Sequence, residues 1–362
     1  MKWISIDARC VTVISFLFAI NATANNEWFE LYNNTRSQGM GGASIAVTSD
    51  ETSLYRNPAN LGSVRDAYGT VLDPELEGSS NFVQQVTSSA IGKAFDADGI
   101  KAILNTKRNT YYHAKTQLSP SLVTRNLGIG LIYRNEVSSE MDAAGTFLDH
   151  KYQSDVGAVF GTNVRFFDGR VKVGASAKFI NRIELINPTL STATSTDMSV
   201  AGSEGSAFAF DGSILLQAPW KLIPTLGVVV RDIGGTKFDK QDGVRLSTQT
   251  RPQTVPQSVD VAAAIFPIHA NQIRSVWTVE YSDVTNSRVD TDNAKRIHVG
   301  IEVNTRDIFF LRMGYNQRYW TAGIEVSAEH FQWQISSYGE EIGTEAAPRE
   351  DRRLSTKISV RF

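Results

Sequence analysis

From about residue 110 to its end, the chain alternates apolar with polar or small residues at a period of two. Leu127, Ile129, Leu131 and Tyr133 fall on one side, with Gly128, Gly130 and Arg134 on the other. Val171, Val173, Ala175, Ala177 and Phe179 oppose Lys172, Gly174, Ser176 and Lys178, and Ile297, Val299, Ile301 and Val303 oppose Arg296, His298, Glu302 and Asn304. Phe309, Leu311, Met313 and Tyr315 oppose Arg312, Gly314 and Asn316, and Trp320, Ala322, Ile324, Val326 and Ala328 oppose Gly323, Glu325, Ser327 and Glu329. Successive side chains of a strand point to opposite faces, so each segment predicts a strand with one apolar and one polar face. The apolar sets contain no charge. A soluble sandwich alternates too, with its apolar side inward. On the lipid face of a barrel, however, an Arg or Lys near the midplane costs about 2–4 kcal/mol, so charge-free apolar sets are what a bilayer selects.

The connections decide between the two. The pattern places strands at 66–77, 110–124, 126–136, 147–165, 170–184, 206–217, 224–233, 255–267, 272–283, 295–304, 308–315, 319–329, 331–339 and 352–362. An even count of fourteen closes a bacterial barrel with both chain ends on one side. Short links near 125–126, 167–169, 218–223, 268–271, 305–307 and 330 alternate with long ones at 78–109, 137–146, 185–205, 234–254, 284–294 and 340–351. Short periplasmic turns and longer extracellular loops are the outer-membrane pattern. The tight link 316–318 breaks the alternation and points to a miscounted hairpin. The predicted class is an all-β, 14-stranded antiparallel transmembrane β-barrel.

Both ends of the chain agree. Lys2 and Arg9 precede the apolar run 11–20, and Ala22-Thr23-Ala24 follows, which reads as a secretory signal peptide over 1–24. The only cysteine, Cys10, leaves with it, so thiol chemistry is not expected. At the other end Ile358, Val360 and Phe362 share one face of a terminal strand. This resembles the C-terminal signal that the barrel-assembly machinery reads, and it implies the bacterial outer membrane and its lipid as surroundings. With 36 basic against 38 acidic residues, the chain lacks the basic excess of a nucleic-acid binder.

Two segments do not alternate as wall. In 78–109, Phe82, Val86, Ala90, Ile91, Ala94 and Phe95 follow helical spacing, predicting a helical extracellular loop at about 80–104 packed on the barrel mouth. The second runs from 25 to about 65 and holds Gly39-Met40-Gly41-Gly42-Ala43, Asp50 and Asn57-Pro58-Ala59. The residues before its glycines are polar, not a buried strand, and no Gly-Lys-Ser/Thr follows, so neither a dinucleotide nor a phosphate loop is expected. Its small residues permit close backbone packing and Asn57-Pro58 sets a tight turn, which suits a plug folded back into the lumen.

Gly39-Met40-Gly41-Gly42-Ala43-Ser44-Ile45-Ala46, with Asp50, Asn57-Pro58-Ala59 and Leu61, resembles the N-terminal hatch of the FadL family. That family comprises 14-stranded outer-membrane channels for long-chain fatty acids and other hydrophobic compounds. The resemblance implies a hatch over 25–65 inside a barrel over 66–362. It implies that Gly39, Gly41, Gly42, Asp50, Asn57, Pro58 and Ala59 pack and gate that hatch. Trp28, Phe29, Phe82 and Val86 are then candidate contacts for a hydrophobic ligand. The pattern is also similar to the PorV branch, whose members bind partner proteins in secretion and surface attachment, so a partner protein is the alternative to a ligand.

Enzymatic chemistry has no visible constellation. His113, His150, His269, His298 and His330 are scattered without metal-site spacing, so no metal and no cofactor are expected. Charges on the polar faces, such as Lys178, Arg231 and Arg312 against Asp211, Asp260, Glu302 and Glu325, are expected to pair and stiffen the lumen.

Overall fold

The computed structural model describes residues 27–28, 30–65, 67–85, 95–194, 196–239, 244–270 and 272–362. The expected signal peptide and the expected contacts Phe29 and Val86 lie outside the described residues. The period-two segments form one antiparallel sheet of seventeen ladder segments. Three pairs of segments are single strands interrupted at a proline, namely at Asp73-Pro74, Ser119-Pro120 and Phe266-Pro267, so seventeen segments make fourteen strands. Proline has no N–H to give to a ladder, which confines it to such breaks.

In chain order the strands are β1 (68–79), β2 (111–123), β3 (Leu127–Met141), β4 (Phe147–Phe166), β5 (Val171–Ser191), β6 (Ser203–Gln217) and β7 (Thr225–Arg231). There follow β8 (258–270), β9 (Ile273–Tyr281), β10 (Ile297–Thr305), β11 (Phe309–Asn316), β12 (Tyr319–Ser327), β13 (Phe331–Glu341) and β14 (Glu350–Arg361). Each pairs with its sequence neighbours, and β14 returns to β1, with Thr70 opposite Arg361 and Leu76 opposite Thr356. The ring is closed, and closure leaves no unpaired edge. Where β1 and β2 are both interrupted, Asp73 replaces the missing rung by accepting from the Ser119 amide (2.7 Å) and hydroxyl (2.6 Å).

The faces separate as the alternation requires. On β3, Leu127, Ile129, Leu131 and Tyr133 are exposed outward, while Gly128, Gly130, Ile132 and Arg134 are buried inward. Phe208, Phe210, Ile214 and Leu216 of β6 and Leu311, Met313 and Ile324 of β11 and β12 continue the outward apolar belt.

Wall height is uneven. β4 and β5 run 20 and 21 residues, while β9 to β12 have only eight or nine each. The link Gln317-Arg318 is a genuine two-residue turn between β11 and β12, so the expected miscount is not one. β3 and β5 continue beyond their predicted ends, to Met141 and Ser191, and on β3 the alternation disappears because both faces are covered. Val137, Ser138, Ser139 and Met141 are all buried.

That cover is the long connection after β1. Helices α1 (Ser80–Gln85) and α2 (Ala97–Leu104) bring Phe82, Ala97, Ile100 and Leu104 onto Tyr112, Ala114, Val137, Met141 and Leu148. Asp96 caps α2 by accepting from the Gly99 amide at 2.9 Å. Tyr112 and Val137 occupy the outward register, so α1 and α2 pack on the outer side of the raised wall and not across the mouth; residues 86–94 between them lie outside the described residues. A second strap covers the wall beside it. Arg245 donates to Ser154 Oγ (2.8 Å) and to the Ser154 and Asn181 carbonyls (2.8 and 2.9 Å), all on the outward register of β4 and β5.

Candidate functional site

Residues 30–65 lie inside the ring. Asn34 caps a short helix, α3 (Thr35–Gly39), through a reciprocal bond with Ser37. Gly41 and Gly42 then take φ of 67° and 87°, a left-handed path that favours glycine. A methyl group on Gly41 would sit 2.4 Å from the Val299 carbonyl oxygen of β10. After the turn Ser53–Arg56, Asn57 accepts from the Ala59 amide (3.0 Å), opening a 3-10 turn with Pro58 in its first position. The Asn57 and Asn60 side-chain amides both donate to the Ile45 carbonyl, at 2.7 and 2.8 Å, which knots the two halves of the segment together.

Hydrogen bonds tie this segment around the wall. Thr35 reaches Glu75 of β1 (3.3 Å) and Ser355 of β14 (2.7 Å), Gln38 reaches Tyr338 of β13 (3.2 Å), and Gly39 accepts from Thr321 of β12 (3.0 Å). Ser44 and Ile45 donate to Glu280 of β9, at 2.7 and 3.1 Å. Ala59 meets Ser213 of β6 and Asn163 of β4 (both 2.9 Å), and Ser63 meets Lys172 of β5 (2.7 Å). Inward-facing glycines of the wall make the room. A methyl group on Gly174 would lie 2.1 Å from the Ala59 nitrogen, and one on Gly300 would lie 2.4 Å from the Met40 carbonyl oxygen.

Charge is balanced between segment and wall. Arg36 pairs with Asp50 (2.6 Å) and Glu302 (2.9 Å), and Glu302 also takes Arg312 (2.6 Å). Arg56 pairs with Glu30 (2.5 Å) and lies 3.6 Å from Glu280. Arg361 reaches Glu51 (2.6 Å). Burial alone would raise the Asp50 carboxyl; Arg36, Arg361 and the Thr52 hydroxyl overcome that and hold it at about 2. The expected wall pairs Lys178–Asp211 (2.8 Å) and Arg231–Asp260 (2.6 Å) form.

Two cavities lie between this segment and the long loops. The larger, about 270 Å³, is lined by Trp28, Leu31, Tyr32, Tyr55, Ile132, Val159, Ile180, Phe238, Val255 and Pro256 on its apolar side. Tyr32 and Tyr55 stack with ring centres 4.5 Å apart, and Arg182 lies 4.7 Å over the Phe238 ring. Trp28 is held by Asp290 (3.2 Å) and by Arg288 at 4.7 Å over its ring. The smaller cavity, about 50 Å³, is lined by charged side chains including Glu27, Glu77, Lys115, Arg134, Glu136 and Arg353.

Of the predicted residues, Gly39, Gly41, Gly42, Asp50, Asn57, Pro58 and Ala59 come together in the luminal segment, and Trp28 lines the larger cavity. Phe82 does not reach it. Phe82 packs edge-on against Tyr112 (4.8 Å) outside the wall. Sequence reasoning missed Ile132, Val159, Ile180 and Phe238. Apolar residues standing on the otherwise polar register of β3 to β5 were the available signal for the first three. Among the described residues, Glu27, His113 and Glu136 have ligand atoms within 4.8 Å of one another. Each is already engaged: Glu27 with Arg353 (2.6 Å), Glu136 with Arg134, and His113 with Glu77 (2.9 Å). Two adjacent guanidinium groups oppose a further cation there.

No protein-family model matches the chain, and no curated protein matches it. Solved structures do. The CymD monoaromatic hydrocarbon channel superposes with a TM-score of 0.56 at 12% identity, over 90% of this chain and 96% of that one. This is the FadL-type barrel fold. A Pseudomonas aeruginosa FadL homologue matches with a TM-score of 0.50 at 9% identity, over 91% and 97% of the two chains. The Ralstonia pickettii toluene transporter TbuX gives 0.51 at 11%, over 91% and 98%. Within the FadL-type fold, residues 30–65 occupy the lumen and the larger cavity opens between them and the loops.

Proposed function

We propose that this protein is an outer-membrane channel for uptake of hydrophobic small molecules, with residues 25–65 as its hatch. The observation that carries the reading is the cavity of about 270 Å³, which places aromatic and aliphatic side chains inside a lumen otherwise filled by ion pairs. The solved structures of similar fold include named aromatic-hydrocarbon and toluene channels, which supports it. Long-chain fatty acids belong to the same proposal as substrates to be tested. Lipid surrounds the outward belt, and Ile358, Val360 and Phe362 present the terminal strand to the assembly machinery. The protein acts without a catalytic step.

A ligand enters the cavity beneath 236–238 and 254–256, on the side of the long loops. Its floor is the Tyr32–Tyr55 pair, and the Tyr55 hydroxyl donates to the carbonyls of Leu131 (3.0 Å) and Ser119 (3.2 Å), where β2 is interrupted. Movement of the hatch away from this place gives a luminal or lateral way out. The alternative, a partner-binding barrel, calls on loops 185–205 and 234–254, but Arg245 fastens the second of these to the chain's own wall, which favours the channel. The test is uptake into cells or proteoliposomes by Asn57→Ala/Pro58→Gly. The expected result is altered uptake with normal insertion; unchanged uptake removes the hatch from the mechanism.

A further inference from the structure

We propose that one arc of the rim formed by the short turns is a docking surface for the headgroups of anionic phospholipids in the periplasmic leaflet. This rests on the outer-membrane reading above, with the short turns toward the periplasm, and not on what the channel carries. Charge is spread unevenly around that rim. The approach to β1 and the ends of β2–β3, β4–β5 and β6–β7 carry the exposed basic residues Arg65, Arg125, Arg165, Arg170 and Lys221. Asp66 and Asp168 are the acidic residues of the same stretches. The ends of β8–β9, β10–β11 and β12–β13 balance, with Arg274 and Arg306 against Asp307 and Glu329, and Asp307 takes up Arg274 at 2.6 Å. Among the described residues, none of the five basic groups of the first arc meets a carboxylate. Arg125 donates only to the carbonyls of Val64 (3.3 Å) and Arg65 (3.1 Å). Inside the ring, by contrast, Lys178, Arg231 and Arg312 each have an acidic partner.

The arc is continuous. The Asn163 amide of β4 donates to the Asn126 carbonyl (2.9 Å) and the Gln217 amide of β6 to the Arg170 carbonyl (2.7 Å), which sets the three turns side by side. Apolar tips stand among the cations. Phe167 and Trp220 are 75% and 70% exposed, and Leu222 and Ile223 are exposed beside Trp220. Phe167 and Ile223 hold φ of 52° and 46°, a left-handed backbone where glycine is usual and bulky or β-branched residues are outliers. A strained, exposed Phe or Ile gains nothing from water; at a bilayer interface it buries its side chain. Aromatic rings at headgroup level beside a basic residue, as in Trp220-Lys221, anchor proteins at that depth. Guanidinium and ammonium groups there make charge-assisted hydrogen bonds to lipid phosphates. Phosphatidylglycerol leaves its phosphate charge uncancelled, whereas phosphatidylethanolamine answers it with its own amine. Each basic residue near an anionic bilayer strengthens the attraction about fivefold.

The test is native mass spectrometry of the full-length protein from detergent micelles holding equimolar phosphatidylglycerol, phosphatidylethanolamine and lipid A. Phosphatidylglycerol is expected to be retained about tenfold or more over phosphatidylethanolamine, and Arg170→Gln/Lys221→Gln to lower that preference about tenfold. Arg306→Gln, on the balanced arc, is expected to change it by less than about twofold. In the unaltered protein the preference is expected to weaken as ammonium acetate is raised from about 0.1 to about 0.5 M, a readout that needs no variant to fold. Equal retention of the two phospholipids, a preference indifferent to salt, an unchanged preference in the folded double variant, or an equal loss in Arg306→Gln overturns the proposal. So does lipid A held as strongly as phosphatidylglycerol and lost in the same double variant, since lipid A belongs to the other leaflet. Labelling of Asp168→Cys with a bulky, membrane-impermeant maleimide separates the two levels. Labelling in intact cells overturns the placement on which the proposal rests. Labelling only after the outer membrane is permeabilised upholds that placement, and a failed lipid preference then overturns the docking surface alone.

Discussion

Gly174 of β5 stands so close to Ala59 that a methyl group on it would lie 2.1 Å from the Ala59 nitrogen and 2.3 Å from the Pro58 carbonyl carbon. Wall and luminal segment are moulded to one another at this point, backbone against backbone. Gly174→Ala is therefore expected to push the 58–63 turn off the wall at a cost of about 1–3 kcal/mol. Gly212→Ala, whose new methyl would meet only Ile233 Cδ1 at 3.5 Å, is expected to be near neutral. Urea midpoints of the two variants, with single-channel recordings of the first, check this.

Arg56 holds the luminal segment from within. It is 2% exposed and reaches Glu30, Glu280, Ser44 Oγ (2.9 Å) and the Gly42 carbonyl (3.2 Å). Removing one partner of a buried ion pair costs about 3–5 kcal/mol because the other charge is left unanswered. Arg56→Ala is expected to lower stability by that order. Arg56→Lys is expected to recover part of it, since a lysine keeps the charge but loses the fork. Equilibrium unfolding followed by tryptophan fluorescence measures both.

Asp50 gives a pH dependence of known sign. Its carboxyl is held at about 2, below the ordinary 3.8, so its ionised form stabilises the fold above the ordinary value. That contribution is lost as pH falls from about 4 toward 2. Asp50→Asn is expected to flatten the part of the acid-unfolding curve that lies in this window. An unchanged curve contradicts the role given to Arg36 and Arg361.

Arg245 fastens the 244–252 strap to the outer wall, where its amide also donates to Glu204 at 2.8 Å. Hydrogen bonds from a charged donor are worth about 1.5–3 kcal/mol each, less where water competes. Arg245→Ala is expected to free the strap and speed its cleavage by proteinase K without changing barrel mobility on gels.

The strands were legible because period-two alternation survives wherever one face meets lipid and the other the lumen. All fourteen strands follow from it, although the tight turn at Gln317-Arg318 reads in sequence as a miscount. Alternation failed at the top of β3, where Val137 and Met141 face outward onto protein, so a strand end looked like a loop. Of the helical segment expected over 80–104, Ser80–Gln85 and Ala97–Leu104 are helical and 86–94 lie outside the described residues; periodicity says only that one face is covered, not by which side of the wall. The lumen pairs on adjacent strands, such as Lys178 with Asp211, were visible in register. The pairing of Arg56 with Glu280 was not, since it depends on where a non-alternating segment comes to rest. The cavity was least legible of all, because its lining converges from residues 27–55, five strands and two loops.

The seam where β14 meets β1 has a consequence for the closed ring. Thr35 touches both of its strands from inside, through Glu75 on one and Ser355 on the other, and Glu51 holds Arg361 beside it. The last-made strand and one of the earliest-made segments are thus stitched at one line. Packing of the luminal segment and closure of the ring therefore share contacts at this seam, and substitutions in residues 35–51 are expected to weaken the closed ring as well as the segment.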